Sequence, residues 1–133
     1  MSISAIASTA IFAMSGWLPL GVVNEYLGEF ATNTRVDYET DGTPLAVYEV
    51  GEVLNNGRNP TVYVKRWDGS SWTQMGSYLD SHQNRQAMSP SIGVSDSGEI
   101  YVAFSQTRFT NGGPQTIQVR RWNGTSWDSL SVI

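Results

Sequence analysis

The chain has no cysteine, and among its 133 residues it carries one histidine and one lysine. Without thiols there is no disulfide framework, no thiolate nucleophile and no cysteine zinc site, so stability must come from packing or assembly. His82, in the polar stretch DSHQNRQ, reads as an ordinary solvated loop histidine. Charge is also scarce: 15% of residues, against roughly 25% in an ordinary soluble domain. Seven arginines and Lys65 face twelve acidic residues for a net charge of −4, with no run of like sign. A nucleic-acid surface needs clustered cations to neutralise phosphates, so that partner is excluded. No apolar run approaches the about 18 residues of a membrane-spanning helix. The N-terminal MSISAIASTAIFAMSG has no Lys or Arg ahead of its apolar part, so it reads as a strand-forming segment and not as a secretion signal. Sustained helical periodicity is missing throughout.

What is present is internal repetition. VKRWDGSSWTQMG (64–76) is echoed by VRRWNGTSWDSLS (119–131), and more faintly by AMSGWLPLG (13–21). A shift of 55 residues sets Trp17 on Trp72, Gly21 on Gly76, Val64 on Val119, Arg66 on Arg121, Trp67 on Trp122, Gly69 on Gly124 and Trp72 on Trp127. Between these anchors the match slips by one, pairing Gly42 with Gly98 and Tyr48 with Phe104. Slippage confined to turns is what a copied strand framework produces.

Within each copy the period is two. TVYVKRW places Val62, Val64 and Arg66 on one face and Tyr63, Lys65 and Trp67 on the other; TIQVRRW does the same with Ile117, Val119 and Arg121 against Gln118, Arg120 and Trp122. Asp68-Gly69 and Asn123-Gly124 follow at once as tight hairpin signals, accepting positive φ at little cost, so each tryptophan pair flanks a reversal. RVDYET and SIGVSD, followed by PLAVYEV and EIYVAFS across DG and DSG turns, complete four short antiparallel strands per unit. Loops of about ten residues, GEVLNNGRNP and QTRFTNGGPQ, lead to the tryptophan-bearing strands.

The V-x-R-W-D-G-x-x-W pattern, preceded by a D-G or D-x-G hairpin and an aromatic strand, resembles the blades of bacterial and phage β-propeller proteins. It is also similar to two-blade fucose lectins, whose chains assemble into six-bladed rings. The resemblance covers residues 17 to 131. It implies an all-β chain of two four-stranded blades, 17–71 and 72–126, with a partial N-terminal blade segment at 1–16 and a closing strand at 127–133. The Arg, Glu and Trp pattern that grips fucose in those lectins is absent at matching positions, so no binding residue carries over. Two blades cannot close a ring, and their outer faces would stay uncovered, so a homo-oligomer is expected, most simply a trimer.

Trp17, Trp67, Trp72, Trp122 and Trp127 are open to two uses. An exposed indole stacks on the apolar face of a sugar, whereas a buried one anchors a blade. Trp17, Trp72 and Trp127 follow the packing rhythm. Trp67 and Trp122 share a face with Tyr63, Lys65, Gln118 and Arg120, the set expected to hold a ligand. Arg66 and Arg121, among inward-facing valines, call for a carboxylate or carbonyl partner, expected between neighbouring blades. Asp37, Glu39 and Asp41 alternate on what reads as a solvent face, either as solubilising charge or as paired acid and base. SDSGEIY (95–101) partially matches an Asp-box and reads as a turn held by Asp96; Asp96, Ser97 and Glu99 supply too few oxygens at the right spacing for calcium. The NGT sequon at Asn123 reads as the turn itself.

No metal or cofactor is expected. The leading expectation is a non-catalytic, lectin-like module binding glycans through repeated aromatic sites on an oligomeric ring. The alternative is a structural assembly component whose tryptophans only pack. A glycoside hydrolase with a site built across chains stands third.

Overall fold

In the computed structural model, residues 20–23, 29–52, 60–80, 86–107 and 113–132 are described. Trp17, His82 and the 1–16 segment lie outside them. The described residues are all β, with no helix. Eight strands run in order: β1 (Glu29–Tyr38), β2 (Pro44–Glu52), β3 (Thr61–Trp67), β4 (Trp72–Gln74), β5 (Ala87–Val94), β6 (Ile100–Thr107), β7 (Gln115–Trp122) and β8 (Trp127–Val132). They form two four-stranded antiparallel meanders, β1-β2-β3-β4 and β5-β6-β7-β8.

Matching positions of the two sheets adopt matching backbone. Gly42 and Gly98 turn the first hairpin of each sheet at φ 86° and 85°. A register shift interrupts β1 between Thr32 and Arg35 and β5 between Met88 and Ser91. Asn33 and Ser89, 56 residues apart, occupy these bulges at φ 51° and 54°, a left-handed conformation that is unfavourable for residues other than glycine. Glu49 offsets that cost. Its buried carboxylate accepts the Asn33 amide at 2.9 Å, the Thr32 hydroxyl at 3.3 Å and the Ser89 backbone N–H, so one side chain ties both bulges together.

The tryptophan hairpins differ from the expected tight turn. Trp67 pairs with Trp72 and Trp122 with Trp127, as the spacing predicts, but four residues lie between them and close through Asp68 N–H to Ser71 O and Asn123 N–H to Ser126 O, both 3.0 Å. Only the glycines take positive φ, Gly69 at 100° and Gly124 at 99°. Asp68 and Asn123 act instead through their side chains. Asp68 Oδ1 accepts the N–H groups of Ser70 and Ser71 at 2.8 Å, and Asn123 Oδ1 accepts those of Thr125 and Ser126 at 3.0 and 2.8 Å. Those bonds hold the Asp68 carboxyl below its ordinary range, the Ser71 and Ser70 N–H groups contributing most.

The sheets share one core. Leu45, Val47, Val62 and Val64 of the first meet Ala87, Ile100, Val102 and Phe104 of the second, with Met75 and Leu79 from the linking chain. Burying side chains of this size contributes roughly 1.5–3 kcal/mol each. β5 lies across β1, β2 and β3. Bonds between the units reinforce the packing: Ala87 N–H to Pro60 O at 2.8 Å and Val94 N–H to Asp37 Oδ2 at 2.9 Å. Asp37, expected on a solvent face, is thereby turned toward the second sheet, because the twist brings β5 over its end of β1.

Corresponding strands bury opposite faces. In β3 the buried residues are Val62 and Val64, whereas in β7 they are Gln118 and Arg120, the counterparts of Tyr63 and Lys65. The two sheets therefore stack the same way round, like consecutive members of a series, and do not close face to face as mirror partners.

Candidate functional site

The expected ligand set divides between the two sheets. Gln118 and Arg120 are each 7% exposed, enclosed between the sheets, and Trp122 packs against the common core. Tyr63, Lys65 and Trp67 on the first sheet are half-buried. The structure thus does not bring the six residues together; of the first-sheet trio, Lys65 and Trp67 border solvent-accessible clefts.

The second-sheet set is held by bonds to chain far away in sequence. Arg120 donates from Nε to Leu79 O at 3.4 Å, bonds Ser129 Oγ, and lies 5.9 Å from the Phe104 ring centroid. Asp80 beside it is 5% exposed, and neither of its carboxylate oxygens has a hydrogen-bond partner. Burial pushes its carboxyl up to about 6, the opposing pull of Arg120 being smaller, and burial lowers the Arg120 pKa in turn. Trp127 donates Nε1–H to Met75 O at 2.7 Å, and Gly76 sits so close that a Cβ there would come within 3.1 Å of Trp122 Cζ3. The Trp122 and Trp127 rings, 5.1 Å apart, are thereby clamped from one side.

On the first sheet, residues 20–23 take the place that Met75–Leu79 take on the second. Lys65 Nζ donates to Val23 O at 2.6 Å, as its counterpart Arg120 donates to Leu79 O. Gly21 matches Gly76 in positive φ, 83° against 69°. The seating is looser. A Cβ on Gly21 would meet nothing within 4 Å, and the buried Trp72 Nε1–H lacks the acceptor that Trp127 has. A cleft of about 240 Å³ opens between Leu20–Val22 and Lys65, Trp67 and Trp72.

A larger cleft of about 550 Å³ lies at the strand ends, between the Glu39–Pro44 turn and Arg66–Gly69. It joins the Trp67 indole to Glu39, Asp41, Arg66 and Asp68, a mix of flat apolar surface and hydrogen-bonding groups suited to a hydroxylated ligand. Its carboxylates already have local duties. Glu39 is paired with Arg66, and Asp41 accepts the Thr43 N–H at 2.9 Å, the bonds to Thr43 lowering its pKa. Arg121 lies 3.7 Å from Glu99 and 3.9 Å from Asp128. Both arginines are therefore paired within their own sheet, not between sheets as expected, because the adjoining turn supplies a carboxylate. The Ser95–Gly98 turn is held by Ser95, whose Oγ accepts the Glu99 N–H at 3.0 Å, and Asp96 is exposed.

Among the described residues no three His, Asp or Glu side chains gather where they could hold a metal, and no helix is long and apolar enough to cross a membrane. Glu49 and Asp80, the two most consequential carboxylates, carry no local motif; each meets a partner 40 residues away, Ser89 for Glu49 and Arg120 for Asp80. No family model, curated protein or solved structure matches the chain.

Proposed function

We propose that the chain is a pair of consecutive β-propeller-type blades and works as a non-catalytic structural module that contributes those blades to a larger assembly. The observation that carries this reading is the burial of opposite faces by β3 and β7. Units that stack the same way round leave a complementary face at each end, the arrangement a ring or array of blades requires. On this reading Trp122, Trp127, Gln118 and Arg120 are packing residues, and stability, not ligand affinity, answers to them. Trp122→Ala is expected to lower the unfolding free energy by about 3–5 kcal/mol in urea titration. An unchanged midpoint would refute the packing role.

A second reading is favoured by the larger cleft: glycan binding at Trp67, with Glu39, Asp41 and Arg66 bonding sugar hydroxyls. It predicts hits on a glycan array that disappear in Trp67→Ala while the fold persists. An array without hits removes it.

A further inference from the structure

Val36 and Tyr38 on β1 are 55% and 56% exposed, and Ile117 on β7 is 43% exposed. Their counterparts are not. Adding 56 to Val36 and Tyr38 gives Ile92 and Val94, which pack against the core. Subtracting 55 from Ile117 and Val119 gives Val62 and Val64, which are 0% and 1% exposed. The apolar positions left open at the two ends of the pair are thus the two halves of the junction that is closed in its middle.

We infer that a second copy of this chain covers them, head to tail, with β1 of one copy laying Val36 and Tyr38 against Ala103, Ile117 and Val119 of the next. The occupant follows from continuity with the in-chain junction, where β5 lies across β1, β2 and β3. The first copy's β1 then lies across β5, β6 and β7 of the next in the same sense. A face-to-face dimer would set Ile117 against Ile117, a like-on-like contact that the in-chain junction does not use. The contact is heterologous, so it propagates until the rotation closes a ring. This inference rests on the blade reading and names its partner.

The test uses the full chain in native mass spectrometry and sedimentation, with circular dichroism to verify that each variant folds. Wild type is expected as multimers of the chain mass across a concentration series. Ile117→Asp alone and Val36→Asp alone are each expected as monomers. Mixed in equal amounts, they are expected to give a heterodimer and nothing larger, since one intact junction remains. A Val36→Asp variant that still dimerises through its Ile117 face overturns the head-to-tail geometry, as do multimers that persist in both variants. A monomeric wild type overturns the contact between copies, while the blade reading stands or falls separately on the stability of Trp122→Ala.

Discussion

The pair Trp122 and Trp127 is closed, and the pair Trp67 and Trp72 is open. Both pairs flank the same four-residue loop, and their rings lie 5.1 and 5.6 Å apart. What differs is the segment lying alongside. Met75–Leu79 brings a carbonyl to Trp127 and presses Gly76 against both rings, whereas Leu20–Val23 reaches Lys65 but leaves Trp72 Nε1–H without an acceptor. One motif can therefore be scaffold in one place and a cleft wall in another. Its neighbours decide which.

The largest test of this contrast is charge insertion at matched positions. Val62→Asp buries an unpaired carboxylate and is expected to lower stability by more than about 4 kcal/mol or to prevent folding, while Ile117→Asp at the corresponding exposed site should lower it by less than about 1 kcal/mol in solution dilute enough to keep copies apart. Equal losses in chemical denaturation would mean that the two sheets do not bury opposite faces.

Next comes the buried charge beside Arg120, which sits where the first sheet has half-exposed Lys65. The Asp80 carboxyl, raised to about 6 from an ordinary 3.8, binds its proton more tightly in the folded chain. Its contribution to stability is therefore fully present below about pH 4 and is lost as pH rises to about 6, with no further change above. Asp80→Asn should flatten that slope. A pH series of thermal melts in which both proteins show the same slope between pH 4 and 6 would contradict it.

The smallest effect separates two glycines. Gly21→Ala and Gly76→Ala both place a side chain at positive φ, which costs about 1 kcal/mol. Only Gly76→Ala also meets Trp122 and Trp127, so its loss should exceed that of Gly21→Ala by about 1 kcal/mol, measured from paired urea midpoints.

Much of the strand framework was legible. Alternation marked β3 and β7, the D-G and D-S-G turns marked β2 and β6, and the tryptophan spacing located both hairpins. The first halves of β1 and β5 were not legible, because the bulges at Asn33 and Ser89 break the alternation on which strand reading depends. The candidate site was harder still. Pattern alone puts Ile117 and Val119 inward and Gln118 and Arg120 outward, and β7 does the opposite. A buried guanidinium is tolerable only where distant groups receive it, and Leu79 O, Ser129 Oγ, Asp80 and Phe104 come together only in the folded chain. β2 gave no direction either, since Leu45 through Val50 are buried on both faces.

Glu49 bears on how durable any contact between copies is. Within the chain its carboxylate reaches across to the Ser89 N–H and locks one sheet on the next. The corresponding position on the second sheet is Ser105, whose short hydroxyl donates to Met88 O in its own sheet at 3.1 Å. On the proposed head-to-tail contact a docked copy would find no strut, so the inner joint would hold while the outer one came apart on dilution and re-formed on concentration.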